Sequence, residues 1–576
     1  LVFDLKYKYS NYSIWFTLFT AAIVCYFFIW QNNATNPVNF INGDARYYYY
    51  YLQSTFVNPN LVTYSWLTND NHPLTHHPVG LSLILSPFFL LAYLIASILH
   101  YPLDGISLPF QISISLAALT YCFIGFISLK KLFQLNQIPD KITALIIPLA
   151  FFGTNLLHYT LTEPAMSHAY SFCMISAFLF HSNKFVLHHQ NKNLLYATVL
   201  FAIILLIRVN NGLILLSIFF WFKTKDQCFV FFKNLIRNKI TYAAICVLIA
   251  IILIQPLTWL LKENQLYANR YAPYGFYWLH PQLIKMLFGF DSGFFIYTPL
   301  CFLFLFGLFI SYRENKFLFY ARLSFTAILL YFFSAYCAYT YYDGLGIRVL
   351  VDHYAVFALM GAKLFTFFGA KKIVFNTIAV TAVAFAFLNL IYCYQINKNI
   401  LLGAGMNFNK WKYVFLKTGK EYQNCLGGHN DLRPYSAVKP KLLLSSELNI
   451  DAPFDYSKKE YGIVSSFDSI GFTANRIQLK VQVSRKELSL NASKDVLVCA
   501  ILEERKSKRR KAYTQYKLNE TPALDCCDEK EYSYTTTIEA NFLPSDRISV
   551  YVWNIKQQPF IINKFSVQAY DYHYNY

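Results

Sequence analysis

Residues 12–30 read YSIWFTLFTAAIVCYFFIW, without a single charge. A helix needs about 20 predominantly apolar residues to cross the hydrocarbon core of a bilayer, so this stretch alone predicts a membrane span. The chain starts at Leu1 rather than methionine, as expected of a truncated N-terminus, and no cleavable signal peptide is read ahead of the span. The same texture recurs downstream. Spans are expected over 109–129, 142–157, 164–182, 193–207, 213–222, 240–261, 298–312, 318–338, 353–370 and 373–394, which with the first makes about eleven. Composition agrees: the 576 residues are 56% hydrophobic and only 14% charged, where a soluble chain carries about 25% charged residues.

Basic residues set the expected sidedness, because Lys and Arg are retained in cytoplasmic loops. They cluster at Lys6 and Lys8, Lys130 and Lys131, Lys184 and Lys192, Lys223 to Lys239, Arg313 and Lys316, and Lys371 and Lys372. All six clusters share one side if the apolar segment 79–98 does not span and 193–222 is a pair of short helices broken at Arg208–Gly212. Segment 79–98 is therefore expected to lie in the outer interface, its ends limited by Pro78 and Pro87. The formal net charge of +19 then belongs to cytoplasmic loops, and nucleic acid is not expected as a partner.

The chain changes character near its C-terminus. Residues 1–400 form the membrane domain, 401–440 read as a linker, and 441–576 read as a soluble domain. Arg476-Ile477-Gln478-Leu479-Lys480-Val481-Gln482-Val483 and Arg547-Ile548-Ser549-Val550-Tyr551-Val552-Trp553-Asn554 alternate apolar with polar residues. That period predicts half-buried strands, and polar turns every 10–15 residues predict an antiparallel β-sandwich on the external side. Lys506 to Lys511 is expected at a solvated hairpin tip. Cys425, Cys499, Cys526 and Cys527 would permit two disulfides, with connectivity left open.

With this topology the polar external loops fall on one face: 31–78, 158–168, 262–297 and 339–352. The first holds Asn42-Gly43-Asp44-Ala45-Arg46-Tyr47, four more tyrosines, then His76-His77-Pro78-Val79-Gly80. An acid just beyond the first span, followed by aromatics and a Pro-Gly interfacial helix, resembles the GT-C superfamily of integral-membrane glycosyltransferases. The loop Tyr339 to Asp352, YTYYDGLGIRVLVD, is similar to the aromatic–Gly–Gly-x-Arg-x-x-x-Asp loop of bacterial members. Gly289 to Pro299, with Tyr297-Thr298-Pro299, resembles their Gly-aromatic-Tyr-x-Pro loop.

The resemblance implies a bacterial inner-membrane enzyme that moves a sugar from a polyprenyl-phosphate carrier to a glycan, lipid or protein acceptor on the periplasmic side. It implies Asp44 as the base that takes the acceptor hydroxyl proton, and Glu163, in Thr162-Glu163-Pro164, as a second carboxylate facing the site. Arg348 and Arg208 would meet the donor phosphate, since a guanidinium grips phosphate bidentately. His77, His168, Arg270 and Tyr297 would line the substrate site. Asp44, Glu163 and His168 could hold Mn²⁺ or Mg²⁺, although the first loop lacks a paired Asp-x-Asp.

Plainer roles stand beside these. Asp44 could cap an interfacial helix, Glu163 could favour a helix start, and Arg348 could pair with Asp352 at i and i+4. Two other functions keep the same topology: a non-catalytic GT-C-like subunit of an envelope complex, and a lipid or glycan transporter.

Overall fold

The computed structural model describes residues 7–31, 38–58, 77–264, 266, 275–341, 344–427, 441–448, 454–468, 476–489, 495–518, 521, 529–539 and 542–571. Two compact units interleave along the chain. The first comprises residues 1–272, 297–334 and 347–393, and the second 273–296, 335–346 and 394–576.

The first unit is helical. It opens with α1 (Lys8–Val24), α2 (Asp44–Phe56), α3 (Gly80–Ile98), α4 (Leu108–Leu135), α5 (Asp140–Phe152), α6 (Leu156–Leu161), α7 (His168–His188) and α8 (Asn191–Ile207). A 3₁₀ helix, Val209–Trp221, and α9 (Lys225–Arg237) follow. A π-helical run, Cys25–Gln31, prolongs α1. The first backbone N–H groups of a helix have no partner within it, and Asp140 supplies one here. Its carboxylate accepts from the Tyr9 and Ser10 amides at 2.8 and 3.2 Å.

Contacts at both ends make α1 and α4 antiparallel. Lys130 Nζ donates to Asn11 Oδ1 at 2.5 Å, and the Phe40 amide, beyond α1, donates to Gln111 Oε1 at 2.9 Å. Helix α3 folds back along α4 as a hairpin. Phe89 packs on Phe110 with ring centroids 5.0 Å apart, and Tyr121 Oη donates to the Ile84 carbonyl at 3.0 Å. The first turns of α3 thus lie beside the middle of α4.

Among the described residues, six helices are long and apolar enough to cross a membrane: Gly80–Ile98, Leu108–Leu135, Lys239–Lys262, Lys316–Ala335, Arg348–Phe368 and Lys372–Asn397. Five match expected spans. The other is the 79–98 segment expected in the interface, whose length and composition equally suit a crossing. The remaining expected spans form shorter or interrupted helices, except 164–182, which is long enough but more polar. Segment 142–157 is divided at Gly153 between α5 and α6, and 298–312 is divided at Phe306 into Pro299–Leu305 and Gly307–Glu314. The 164–182 segment is α7, which carries His168, His181, Asn183 and Lys184 along its length.

The second unit contains the β domain. Its strands are β1 (Lys441–Leu448), β2 (Phe454–Asp455), β3 (Tyr461–Asp468), β4 (Arg476–Glu487), β5 (Val496–Glu504), β6 (Arg510–Lys517), β7 (Glu529–Glu539), β8 (Asp546–Asn554) and β9 (Phe560–Asp571). Two antiparallel sheets form, ordered β1-β9-β4-β7 and β3-β8-β5-β6, with β2 paired to β9. Period-2 burial is complete along β8, where Ile548, Val550 and Val552 enter a core shared with Ile477, Leu479, Val481, Val498 and Val567. Residues 505–509 turn between β5 and β6, which puts Lys506 to Arg509 at a hairpin tip, while Arg510 and Lys511 begin β6 and Lys511 pairs with buried Asp546 at 2.7 Å.

Residues 401–427, read as linker, hold the short helix Phe408–Val414, capped by the Asn407 side chain at the Lys410 amide (3.0 Å). Asp291 anchors the preceding turn by accepting from the Gly405 and Met406 amides at 2.7 and 3.1 Å. Cys425 and Cys499 are both buried, and Cys499 is a free thiol; Cys526 and Cys527 lie outside the described residues.

Candidate functional site

Polar side chains from six separate segments of the first unit converge in one cluster. Arg348 Nη2 donates to Asp44 Oδ2 at 2.9 Å, a contact between residues 304 positions apart. Both are only partly exposed, with side-chain exposures of 16% and 30%, so the pair is neither fully dry nor freely solvated. The backbone turns sharply beside each partner. Gly43 (φ +52°) precedes Asp44 and Gly346 (φ +65°) precedes Arg348, a left-handed region that costs residues with a Cβ about 1–2 kcal/mol.

Asp352, on the same 3₁₀ turn as Arg348 (Arg348–His353), faces elsewhere. It is fully buried. His168 Nδ1 lies 2.7 Å from its Oδ1, Asn211 Nδ2 donates to its Oδ2 at 2.7 Å, and Arg208 Nε approaches to 4.0 Å. Arg208 therefore stands at the end of α8 beside a buried carboxylate. That placement offsets the several kcal/mol that a guanidinium otherwise costs in an apolar setting. Asn211 also donates to Ser171 Oγ at 3.3 Å, tying the 3₁₀ helix to α7.

Glu163 forms a third acidic position. Its Oε1 lies 3.2 Å from His158 Nε2, and its side chain is one-third exposed. Burial alone would raise this carboxyl. The His158 hydrogen bond and charge, then the Arg348 charge, outweigh burial and hold it below the usual carboxylate range. Arg348 feels the charges of Asp44, Glu163 and Arg208 together, so the ion pairs belong to a single electrostatic site.

The remaining sequence-derived positions distribute as follows. His77 is buried with its ring stacked on Tyr47 (centroids 4.3 Å, planes 7° apart) and edge-on to Tyr48. Tyr51 Oη fixes its backbone by donating to the His77 carbonyl at 2.7 Å. The tyrosines of α2 thus enclose and fix His77. Tyr297 is buried edge-on against Tyr392, 5.2 Å between centroids. Arg270 lies outside the described residues, as does Asp343.

No protein-family model and no curated protein matches this sequence.

The cluster has its own chemical limits. Among the described residues, no three His, Cys, Asp or Glu side chains come together as a metal-binding group. Of the set considered from sequence, Asp44 engages Arg348, Glu163 engages His158, and His168 engages Asp352. Polar capacity remains nonetheless. His158 Nδ1, His168 Nε2 and Asn211 Oδ1 are buried without a hydrogen-bond partner among the described residues. A buried polar atom left so costs about 1–3 kcal/mol, a cost that a polar ligand entering the cluster would relieve.

Sequence reasoning gave Asp352 only as a helix-pairing partner of Arg348 and assigned no role to His158 and Asn211. Asp352 had a usable signal: an acid one turn beyond Arg348 in an otherwise apolar run needs a buried partner. Asn211, three residues after Arg208, had the same one.

Proposed function

We propose that this chain is a membrane glycosyltransferase of GT-C type, acting on a sugar carried by a polyprenyl phosphate. The observation that supports it best is the Asp44–Arg348 contact. It joins an acid suited to proton abstraction with a guanidinium suited to phosphate, from two loops that sequence had paired only by resemblance.

The reaction follows from those two groups. A guanidinium carries five N–H donors in a fixed fork, so it can exchange a carboxylate for a phosphate. Donor phosphate arriving at Arg348 leaves the Asp44 carboxylate open to the acceptor hydroxyl. The acceptor oxygen bonds to the anomeric carbon as the bond from that carbon to the phosphate oxygen breaks. Asp44 takes the hydroxyl proton, and polyprenyl phosphate leaves with its charge held by Arg348. Arg208 sits close enough in the same field to share that charge.

The topology proposed with this function has about eleven crossings and the β domain on the outer, periplasmic face of a bacterial inner membrane. Two observations support it. Lys130 sits beside the start of α1, so α1 and α4 cross in opposite senses. Helix α3 follows α1 in the chain and ends where α4 begins, so it lies within the outer half of that pair rather than crossing between them.

The test is equilibrium binding of an unmodified polyprenyl phosphate to the purified full chain. Arg348→Ala should weaken binding about tenfold or more, since a charge-assisted contact contributes about 1.5–3 kcal/mol, and Arg348→Lys should recover part of it. Equal affinity in a folded Arg348→Ala variant would remove Arg348 from the donor site.

A further inference from the structure

At the opposite, basic end of the first unit, a cavity of about 1020 Å³ opens between the 3₁₀ helix Val209–Trp221, α9 and the helix Lys316–Ala335. Its walls are apolar, with Leu216, Phe219, Phe232 and Phe317 among them, and two charges enter it, Lys225 and Lys316. Lys316, Tyr320, Ser324 and Ile328 recur every four residues on its long wall, so a single helix face forms that side. Twelve residues of helix extend it over about 18 Å.

The charges gather at one end of this trough. Lys225 and Lys316 are each the first residue of their helix. Asn315 Nδ2 donates to the Lys223 carbonyl at 2.9 Å, which ties the two helix starts together. Among the described residues neither lysine enters an ion pair, and Glu314 close by is engaged by Lys363 at 3.6 Å. Helix α9 adds an amphipathic rim: Phe229, Val230 and Ile236 are exposed on a helix that also carries Lys233 and Arg237, the composition of a helix lying in a membrane interface.

An apolar trough of this length with cations at one end matches an amphiphile with an anionic head. A free sugar would leave the phenylalanine walls without a partner, and a lipid without net negative charge would leave uncompensated the charges of Lys225 and of Lys316, whose ammonium lies over the Tyr312 ring at 5.9 Å. We propose that this groove binds an anionic phospholipid, with acyl chain along Lys316–Ala335 and phosphate between Lys225 and Lys316. The proposal uses none of the residues around Asp44 and does not depend on the transferase reading.

Native mass spectrometry of the full chain in detergent, titrated with phosphatidylglycerol and with phosphatidylcholine of the same acyl chains, tests it. Wild type should retain phosphatidylglycerol in clear preference. Each of Lys225→Ala and Lys316→Ala should reduce that preference about fivefold and lower phosphatidylcholine retention less, because its choline already offsets the phosphate charge. Ser324→Trp, which fills the trough, should lower retention of both lipids. Excess glycerol phosphate should fail to displace the bound lipid, because the head alone lacks the apolar contacts. Equal retention of the two lipids by wild type, a preference that survives the double alanine variant, or displacement by glycerol phosphate would each overturn the proposal. The alanine variants alter only exposed positions, so they decide the matter even if Ser324→Trp does not fold.

Discussion

At the scale of single residues, the informative outcome is that Arg348 and Asp352 do not pair. An i, i+4 rule assumes 3.6 residues per turn, but Arg348–His353 is a 3₁₀ helix. At three residues per turn, positions four apart point about 120° away from each other. Arg348 is thereby turned to Asp44 and Asp352 to His168, Asn211 and Arg208. Loop chemistry made Asp44 and Arg348 legible as candidate positions; the local helix type that separates Arg348 from Asp352 leaves no mark in composition or spacing. Asp352 is the structural hub of the cluster. Removing one member of a buried ionic set leaves the others uncompensated at a cost of about 3–5 kcal/mol. Asp352→Ala should therefore lower thermal stability by that order, measured as a fall in the melting midpoint in detergent. An unchanged midpoint would mean that Asp352 is held for chemistry alone.

At the scale of elements, helix location was readable from apolar runs, and helix integrity was not. The run 298–312 is continuous in hydropathy but is divided at Phe306, and 142–157 is divided at Gly153. Backbone geometry also changes what a short run can do. Val209–Trp221 is a 3₁₀ helix of 13 residues. At about 2.0 Å per residue it reaches about 26 Å, near the hydrocarbon thickness of about 30 Å, where an α-helix of that length reaches about 20 Å. The segment expected as the shortest span is lengthened by its own geometry. Helix α3 is the element on which sidedness turns. Place a cysteine at Leu103, in the exposed loop between α3 and α4, and another at Lys131, with exposed Cys246 replaced. An impermeant maleimide added from outside should modify the first and spare the second. Labelling at Lys131 would make α3 a crossing and invert every later loop.

At the scale of the whole molecule, the two halves were legible for different reasons. The β domain follows from strict alternation, which fixes both the strands and the face each buries, as in β8 and β4. The helical unit follows from apolar length, which fixes the class without fixing which helices meet. Convergence of residues 44, 158, 163, 168, 208, 211, 348 and 352 is a product of tertiary packing, and only the expected sidedness of their loops foreshadowed it. The central claim is that this convergence performs sugar transfer with Asp44 as base. Asp44→Asn keeps the shape and the hydrogen-bonding capacity of the side chain but removes its ability to accept the proton. Turnover of a polyprenyl-phosphate-linked sugar should then fall by about 10²–10⁴-fold, with donor affinity and melting midpoint nearly unchanged on the same preparation. Full turnover in the Asn variant, or no turnover by wild type across polyprenyl-linked sugars, would contradict the account.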